Sequence, residues 1–165
     1  MLFLHDIGKI AISDNILLKP AKLTNIEFED MKTHVLHGVE IVQNNYWLKD
    51  AKDVILHHHE KVDGSGYPDG LQGDEIPYNA RIFAVADVFD ALTSKRPYKK
   101  PFSLDESMKI IMDDVGTHFD KNIVDSFEEI YEKIYYDILD MSSKELEKIF
   151  YQNVKPYFDI KGLDK

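Results

Sequence analysis

The sequence predicts an all-α fold, and three observations support that class. First, the starts of three predicted helices carry Ser or Thr with Glu three residues later, which is the spacing of a capping box. These pairs are Thr24 with Glu27, Ser103 with Glu106, and Ser142 with Glu145. Second, apolar residues after the first pair recur at helical intervals. Third, no stretch alternates convincingly between apolar and polar residues, as a half-buried strand would.

The helices are predicted in order along the chain. Residues 1–4 continue a helix that ends at Gly8 or just after Ile10, because no capping residue precedes this apolar start. The further predicted helices are 25–45, which carries two histidines, 50–60, 79–94, 103–115, 123–139, and a short one after Ser142. Stretch 79–94 is so apolar that it predicts a fully buried helix.

The segment 61–78 contains four glycines and two prolines, so it is a loop with specified backbone conformations. A connection of this length is too long for a passive link within a compact domain. We therefore expect the loop to take part in function.

Composition excludes some classes of function. The net charge of -10 at pH 7 argues against a nonspecific nucleic-acid-binding protein, which needs a basic surface. No apolar run approaches the roughly 20 residues of a membrane helix. We therefore expect no DNA partner, no membrane contact in this segment, and a cytoplasmic location. The chain has no cysteine, so His, Asp and Glu must hold any metal, which favours iron, manganese or zinc.

Histidines and carboxylates on four helical segments predict a metal centre. They are His5 and Asp6, then His34, then the pair His58 and His59, and finally Asp87. Adjacent His5 and Asp6 each reach a different metal, or Asp6 bridges two cations, as carboxylates do in two-metal hydrolases. Helical bundles build carboxylate–imidazole metal centres from side chains that converge in this way.

Asp87 has two possible partners, a metal ion or a basic side chain. A carboxylate in an apolar helix must be paired or bind a metal, because an unpaired buried charge costs several kcal/mol. We favour a metal, with Arg81 as the alternative partner. Asp90, one turn later, orients a ligand or caps the loop, and the sequence leaves both open.

Three other histidines receive different interpretations. Three consecutive helical residues span about 200° of arc, so His57 is expected to face away from a site that His58 and His59 share. His37 is expected in the core or behind a ligand. His118, which follows Gly116 in a turn, is expected to make a local hydrogen bond.

Several motifs in order resemble the HD-GYP family, a branch of the HD-domain metal-dependent phosphohydrolases. They are HDIGK, MKTH, HHEKVDGSGYPDGL, IPYNARIFAVADVFDALTSKRPYK and GTHFD, which together cover roughly residues 5–127. The resemblance implies an HD-domain-like helical bundle with a long GYP loop. It also implies hydrolysis of cyclic di-GMP to linear pGpG, GMP or both by a metal-activated hydroxide.

The resemblance also implies roles for individual residues. The implied ligands of two or three divalent ions, Fe or Mn, are His5, Asp6, His34, His58, His59 and Asp87. Lys9 is implied to act beside Asp6 at the scissile phosphate. Arg96 and Lys99 are implied to hold substrate phosphates, and the loop residues Gly66 and Tyr67 to lie beside the substrate.

The chain departs from the family pattern in three places. The family normally has helices before HDIGK that carry a further ligand histidine and, in some members, a glutamate, so the resemblance predicts a chain truncated at its N-terminus. Val35 and Lys121 stand where the family commonly has proline. The predicted division is a catalytic domain at 1–139, without its N-terminal helices, and a helix and tail at 140–165.

Two alternatives to a cyclic di-GMP phosphodiesterase stay open at the level of sequence. One is a phosphohydrolase for another cyclic dinucleotide. The other is a truncated, inactive module that binds ligand or a signalling partner such as a diguanylate cyclase. An upstream sensor domain in the full-length protein is a further expected partner.

Overall fold

The computed structural model describes residues 4–44, 48–95 and 100–154. The helices are α1 (Asp14–Leu17), α2 (Asn25–Lys32), α3 (His34–Val42), α4 (Lys49–His57), α5 (Tyr78–Thr93), α6 (Leu104–Asp113), α7 (Lys121–Glu128), α8 (Tyr131–Asp140) and α9 (Ser143–Val154). Short 3-10 turns span Ile7–Ala11 and Gly73–Glu75. No strand occurs within the described ranges, and the predicted all-α class is confirmed.

The predicted capping boxes start α2, α6 and α9. At α2, the Thr24 hydroxyl oxygen accepts the Glu27 amide at 3.3 Å, while the Glu27 carboxylate accepts the Thr24 amide at 2.7 Å. The Ser103 and Ser142 pairs repeat this reciprocal pattern with Glu106 and Glu145. Each box gives an acceptor to two backbone amides that the first turn of a helix leaves unpaired.

Two predicted helices are each divided in the structure. The helix expected at 25–45 is interrupted at Thr33, whose amide and hydroxyl both donate to the carbonyl of Asp30, at 3.1 and 2.6 Å. This tight turn ends α2, and His34 begins α3. The helix expected at 123–139 is interrupted where the Ile130 amide donates to the Phe127 carbonyl at 3.0 Å. Local hydrogen bonding therefore overrides the apolar periodicity in both places.

Helix α5 is only partly buried, so the prediction of a fully buried helix is wrong. Tyr78 is 65% exposed and Ile82 is 43% exposed. The buried residues of α5 are Ala80, Phe83, Ala84, Val85 and Phe89. One side of the helix thus faces the core, and the other leaves room for polar side chains such as Asp87.

The helices that carry the predicted ligands lie in one compact unit, Met1–Ser126. Within it, α3 packs on both the Ile7–Ala11 turn and α4, α4 packs on α5, and α5 packs on α6. Its largest fully buried apolar side chains are Val35, Ile55, Val85, Ile111, Phe119 and Val124. This packing brings the start of the chain, α3, the end of α4 and α5 together.

A second compact unit, Phe127–Lys165, contains α8 and α9. Several of its apolar side chains are exposed, among them Ile134, Ile138 and Leu146. The predicted boundary at residue 139 stays a prediction. Among the described residues, no helix combines the length and apolar character that crossing a bilayer requires.

Candidate metal centre

The Ile7–Ala11 turn sets Asp6 beside α3 through a glycine contact. A Cβ added at Gly8 would lie 1.9 Å from the carbonyl oxygen of His34 and 2.4 Å from the amide nitrogen of Gly38. Both atoms belong to helical backbone and do not move aside easily. Only glycine allows the turn to approach α3 this closely, and the approach brings the Asp6 carboxylate to the His34 ring.

Four side chains from three segments meet at one point. Asp6, His34, His58 and His59 offer ligand atoms that all lie within 4.8 Å of one another. Nε2 of His34 is 3.4 Å from Oδ1 of Asp6, and Nε2 of His58 is 3.9 Å from the same oxygen. The ring centroids of His58 and His59 are 4.0 Å apart. The structure thus brings together four of the six predicted ligands as one group.

Backbone carbonyls orient two of these rings. Nδ1 of His34 lies 2.7 Å from the Met31 carbonyl, and Nδ1 of His58 lies 3.0 Å from the Val54 carbonyl. A ring that donates from Nδ1 keeps the lone pair on Nε2, which is the arrangement typical of metal-bound histidine.

The buried polar atoms at the centre fit a metal ion. Asp6 Oδ1, His34 Nε2 and His58 Nε2 are buried and have no hydrogen-bond partner among the described residues. Buried polar atoms are normally paired, so three that converge without a partner require an explanation. Imidazole nitrogen and carboxylate oxygen together suit zinc, iron or manganese.

The protonation states favour cation binding. Burial lowers the pKa of His34, and burial with the nearby His5 and His34 lowers that of His58 to about 4. Burial also lowers the pKa of His59. Burial alone would raise the pKa of Asp6. The hydrogen bonds with His5 and Lys9 outweigh this effect, so the pKa of Asp6 lies well below its usual range. Near neutral pH the centre therefore holds neutral imidazoles and an ionised carboxylate.

Of the other two predicted ligands, His5 lies beside the second oxygen of the Asp6 carboxylate, and Asp87 lies next to His5. His5 Nε2 is 3.3 Å from Asp6 Oδ2 and 3.8 Å from Asp87 Oδ1. Burial raises the pKa of Asp87, and His5 partly offsets that rise. Lys9 Nζ lies 2.6 Å from the same Asp6 oxygen. Asp6 thus directs one oxygen to the His34 side and the other to the His5 side.

The competing partner of Asp87 is engaged elsewhere. Arg81 Nη1 donates to Asp74 and to Asp120, each at 2.6 Å. Asp120 belongs to the GTHFD segment, so this segment fixes the start of α5 through Arg81. The structure therefore leaves the Asp87 carboxylate facing His5.

The run from His57 to Glu60 divides between the centre and the loop. His58 and His59 face the centre, whereas His57 Nε2 lies 3.2 Å from Asp69 Oδ2 in the loop. Glu60 is 2% exposed, and its carboxylate accepts three loop amides. The expectation that His57 faces away from the shared site is consistent with this arrangement. Sequence reasoning missed Glu60, although an acid between a histidine run and a glycine-rich loop was a usable signal.

The GYP segment lies against the backbone that follows His59. A Cβ added at Gly66 would lie 2.4 Å from the Cα of Glu60, so this glycine permits close backbone packing. The Tyr67 amide donates to the His59 carbonyl at 3.2 Å, and the Tyr67 ring stacks on the His59 ring with centroids 4.7 Å apart. The structure places Gly66 and Tyr67 beside the metal group, and their contact with substrate stays a prediction.

Other residues singled out by the sequence lie away from the centre or outside the described residues. His37 lies on α3 with its side chain 38% exposed and Nδ1 3.4 Å from Glu40, so its expected place in the core is wrong, and a place behind a ligand stays a prediction. The His118 amide donates to the Asp114 carbonyl at 2.9 Å, a local hydrogen bond as expected, and the His118 carbonyl accepts the Val62 amide of the loop at 3.3 Å. Asp90 accepts a hydrogen bond from Ser94 at 2.9 Å. Arg96 and Lys99 lie outside the described residues.

Comparison with protein families places this geometry in a known group. A family model described as "HD domain" matches residues 2–123. The chain belongs to the HD domain family. The predicted relationship, an HD-domain chain of the HD-GYP type, is confirmed. The match spans all six predicted ligands, from His5 to Asp87.

Curated relatives and a solved structure resemble the chain. It is 49% identical over 132 residues to a probable cyclic di-GMP phosphodiesterase of Vibrio cholerae, an alignment covering 75% of this chain and 30% of the relative. It is 48% identical over 124 residues to 3'3'-cGAMP-specific phosphodiesterase 2 of the same organism, covering 74% and 24%. The chain therefore spans between about a quarter and a third of the length of these relatives.

A crystal structure of a cyclic GMP-AMP specific phosphodiesterase of V. cholerae superposes with a TM-score of 0.60. The sequences are 19% identical, and the match covers 94% of this chain and 49% of the other. At this identity the superposition supports the helical fold alone.

Proposed function

We propose that the chain carries the catalytic centre of a metal-dependent phosphodiesterase that hydrolyses cyclic di-GMP to linear pGpG, GMP or both. The observation that carries the proposal is the convergence of Asp6 Oδ1, His34 Nε2 and His58 Nε2, three buried atoms without a partner in the described part of the chain. The similarity to a probable cyclic di-GMP phosphodiesterase supports the choice of substrate.

The proposed ligands fall on the two sides of Asp6. His34, His58 and His59 with Asp6 Oδ1 would hold one ion, and His5 and Asp87 with Asp6 Oδ2 would contribute to a second. A carboxylate shared by both sides suits two or three divalent ions, which we propose are Fe or Mn. Such ions supply an activated water and stabilise negative charge on phosphate oxygens.

Side chains around the ligands would bind and orient the phosphodiester. The Lys9 ammonium, 2.6 Å from Asp6 Oδ2 and part exposed, lies where it can donate to a phosphate oxygen bound at the centre. Donors placed where charge develops contribute strongly to catalysis. Arg96 is proposed to bind a phosphate through its planar fork, and Lys99 as a point charge.

A specific observation favours a second candidate substrate. A 3'3'-cGAMP-specific relative is 48% identical, almost as similar as the cyclic di-GMP relative. The two substrates share the same phosphodiester chemistry and differ in one base, so metal ligands alone do not separate them. Initial rates with both cyclic dinucleotides, measured on one metal-loaded preparation, decide between them.

The test uses two histidines of the same helix. His34→Gln removes a ring nitrogen from the metal group, whereas His37→Gln alters a partly exposed histidine one turn away that is outside the group. With Mn²⁺ or Fe²⁺ loaded anaerobically, we expect wild type and His37→Gln to hydrolyse cyclic di-GMP, and His34→Gln to lose at least about 100-fold of the rate. Circular dichroism checks that the variants are folded.

Each other outcome has a defined meaning. Equal rates for His34→Gln and wild type would contradict the proposed centre. Hydrolysis of 3'3'-cGAMP in strong preference to cyclic di-GMP would overturn the substrate but keep the reaction. Stoichiometric ligand binding without turnover would support the inactive binding module instead.

The setting of the activity is also a proposal. Cyclic di-GMP is a bacterial second messenger, which suits a cytoplasmic location. A diguanylate cyclase and an upstream sensor domain are the proposed partners in the full-length protein, and co-purification of full-length protein with a candidate cyclase tests the first.

A further inference from the structure

The third histidine of the metal group is restrained differently from the other two. His34 and His58 each hold a backbone carbonyl through Nδ1. Among the described residues, no hydrogen bond to a ring nitrogen of His59 is found. Instead, the Tyr67 ring stacks against it, with centroids 4.7 Å apart and planes inclined by 28°. The orientation of His59 therefore depends on where the loop places Tyr67.

The position of Tyr67 in turn depends on Glu60. The Glu60 carboxylate accepts the amides of Asp69, Gly70 and Leu71 at 2.7, 3.1 and 3.1 Å. The first of these amides is two residues after Tyr67 along the loop, and the Gly66 backbone packs on the Glu60 backbone. Glu60 is thus enclosed by the loop segment 66–71, with Tyr67 held between the two contacts.

The cost of burying Glu60 makes this arrangement specific. The side chain is 2% exposed and has no cationic partner within the described ranges, so the three amides compensate its charge. Hydrogen bonds to a charged acceptor are about twice as strong as neutral ones. His57 adds a second attachment to the same segment through Asp69, at 3.2 Å.

We propose that Glu60 is a positioning residue which, through the loop and Tyr67, orients the His59 imidazole toward the metal. The GYP segment then supports a metal ligand through the stacked Tyr67 ring, in addition to any contact with substrate. This inference rests on the proposed metal centre. Partners behind metal ligands typically change metal affinity by about 10- to 100-fold when mutated.

The experiment titrates metal-free chain with Mn²⁺ by calorimetry near neutral pH. Glu60→Gln replaces one acceptor oxygen with an amide donor, and Tyr67→Leu removes the stacked ring without disturbing the buried carboxylate. We expect each to weaken Mn²⁺ binding by about 10- to 100-fold. Tyr67→Phe keeps the ring and is expected to bind Mn²⁺ within about twofold of wild type.

The matched control is Glu75→Gln. Glu75 lies in the same loop and also accepts a backbone amide, that of Gln72 at 2.9 Å, but it is exposed. We expect wild-type Mn²⁺ affinity for this variant. Hydrogen exchange adds a readout independent of metal: the amides of residues 69–71 should exchange faster in Glu60→Gln and not in Glu75→Gln.

Several results would overturn the inference. Wild-type Mn²⁺ affinity in Tyr67→Leu would show that the ring does not orient His59. Faster amide exchange in the loop of Glu60→Gln with unchanged Mn²⁺ affinity would show that Glu60 holds the loop but that the loop does not orient His59. A wild-type chain that binds no Mn²⁺ would overturn both proposals. One that binds Mn²⁺ but hydrolyses no cyclic dinucleotide would overturn the proposed function alone.

Discussion

Asp6 Oδ1 lies 3.4 Å from Nε2 of His34, and both atoms are buried without a hydrogen-bond partner in the described part of the chain. An ionised carboxylate and a neutral imidazole at this separation do not stabilise each other as an ion pair. A cation between them would satisfy both, and that requirement underlies the proposed metal centre.

The first prediction concerns this carboxylate. Asp6→Asn removes the charge that both sides of the centre share, so Mn²⁺ affinity should fall by at least about 100-fold. Equilibrium dialysis with metal analysis measures it. Asp30→Asn, on the exposed surface of α2, is the control and should bind Mn²⁺ like wild type. Equal affinity in the two variants would argue against Asp6 as a ligand.

The second prediction concerns the glycine contact that positions Asp6. Gly8→Ala puts a methyl group 1.9 Å from the His34 carbonyl oxygen, where the turn or α3 must shift. The free energy of unfolding should fall by about 1–3 kcal/mol, the usual cost of overpacking. Urea denaturation measures it. Ile10→Ala, at an 80% exposed residue of the same turn, should change stability by less than about 0.5 kcal/mol.

The third prediction compares the two carboxylates bound to Arg81. Both accept its Nη1 at 2.6 Å, but the Asp120 side chain is 13% exposed and that of Asp74 is 97% exposed. Asp120→Asn should lower the free energy of unfolding by about 1–3 kcal/mol, because it weakens the largely buried interaction with Arg81. Asp74→Asn should cost less than about 0.5 kcal/mol. Similar losses in thermal or urea unfolding would contradict the assignment of Asp120 as the anchoring partner.

The fourth prediction is a pH dependence at the start of α2. The hydrogen bond from Lys19, with that from the Thr24 amide, lowers the pKa of Glu27 to about 2 from an ordinary value of 4.5. Because the folded pKa is the lower one, Glu27 stabilises the fold fully above pH 4.5 and loses this effect as the pH falls toward 2.

Unfolding of Glu27→Gln across this range tests the sign. The difference in free energy of unfolding between wild type and variant should be constant above pH 4.5, the ordinary pKa of Glu27, and should decrease below it. Glu29→Gln, at an exposed residue of the same helix, should show a smaller difference. A difference that increases in acid would contradict the proposed linkage.

The convergence of His34, His58 and His59 could be predicted because local motifs fix their positions. HDIGK places His5 and Asp6 in the turn before Ile7–Ala11, and the HHHE run places His58 and His59 directly after α4. Packing of α3 on the Ile7–Ala11 turn and on α4 then brings both motifs to His34. The partner of Arg81 could not be predicted in this way. Asp74 and Asp120 are distant from each other in sequence, and only the folded loop and the GTHFD turn bring them to one guanidinium.

The helix breaks and the role of Glu60 escaped prediction for physical reasons. Periodicity continues through Thr33, but its side-chain hydrogen bond to Asp30 ends the helix, and such local competition is invisible to a count of apolar positions. The role of Glu60 was missed because its partners are backbone amides that only the folded loop brings together, and its place between the histidine run and the glycine-rich loop was its one signal in the sequence. The predicted burial of α5 failed because its apolar composition exceeds what the core can cover.

The most direct test of the metal centre is anomalous X-ray diffraction from crystals of the Mn²⁺-loaded chain. We predict an anomalous peak about 2.0–2.3 Å from Asp6 Oδ1, His34 Nε2 and His58 Nε2, within the range of oxygen and nitrogen ligand distances. A peak elsewhere on the chain, or none at this position in a fully loaded crystal, would contradict the centre on which the proposed function depends.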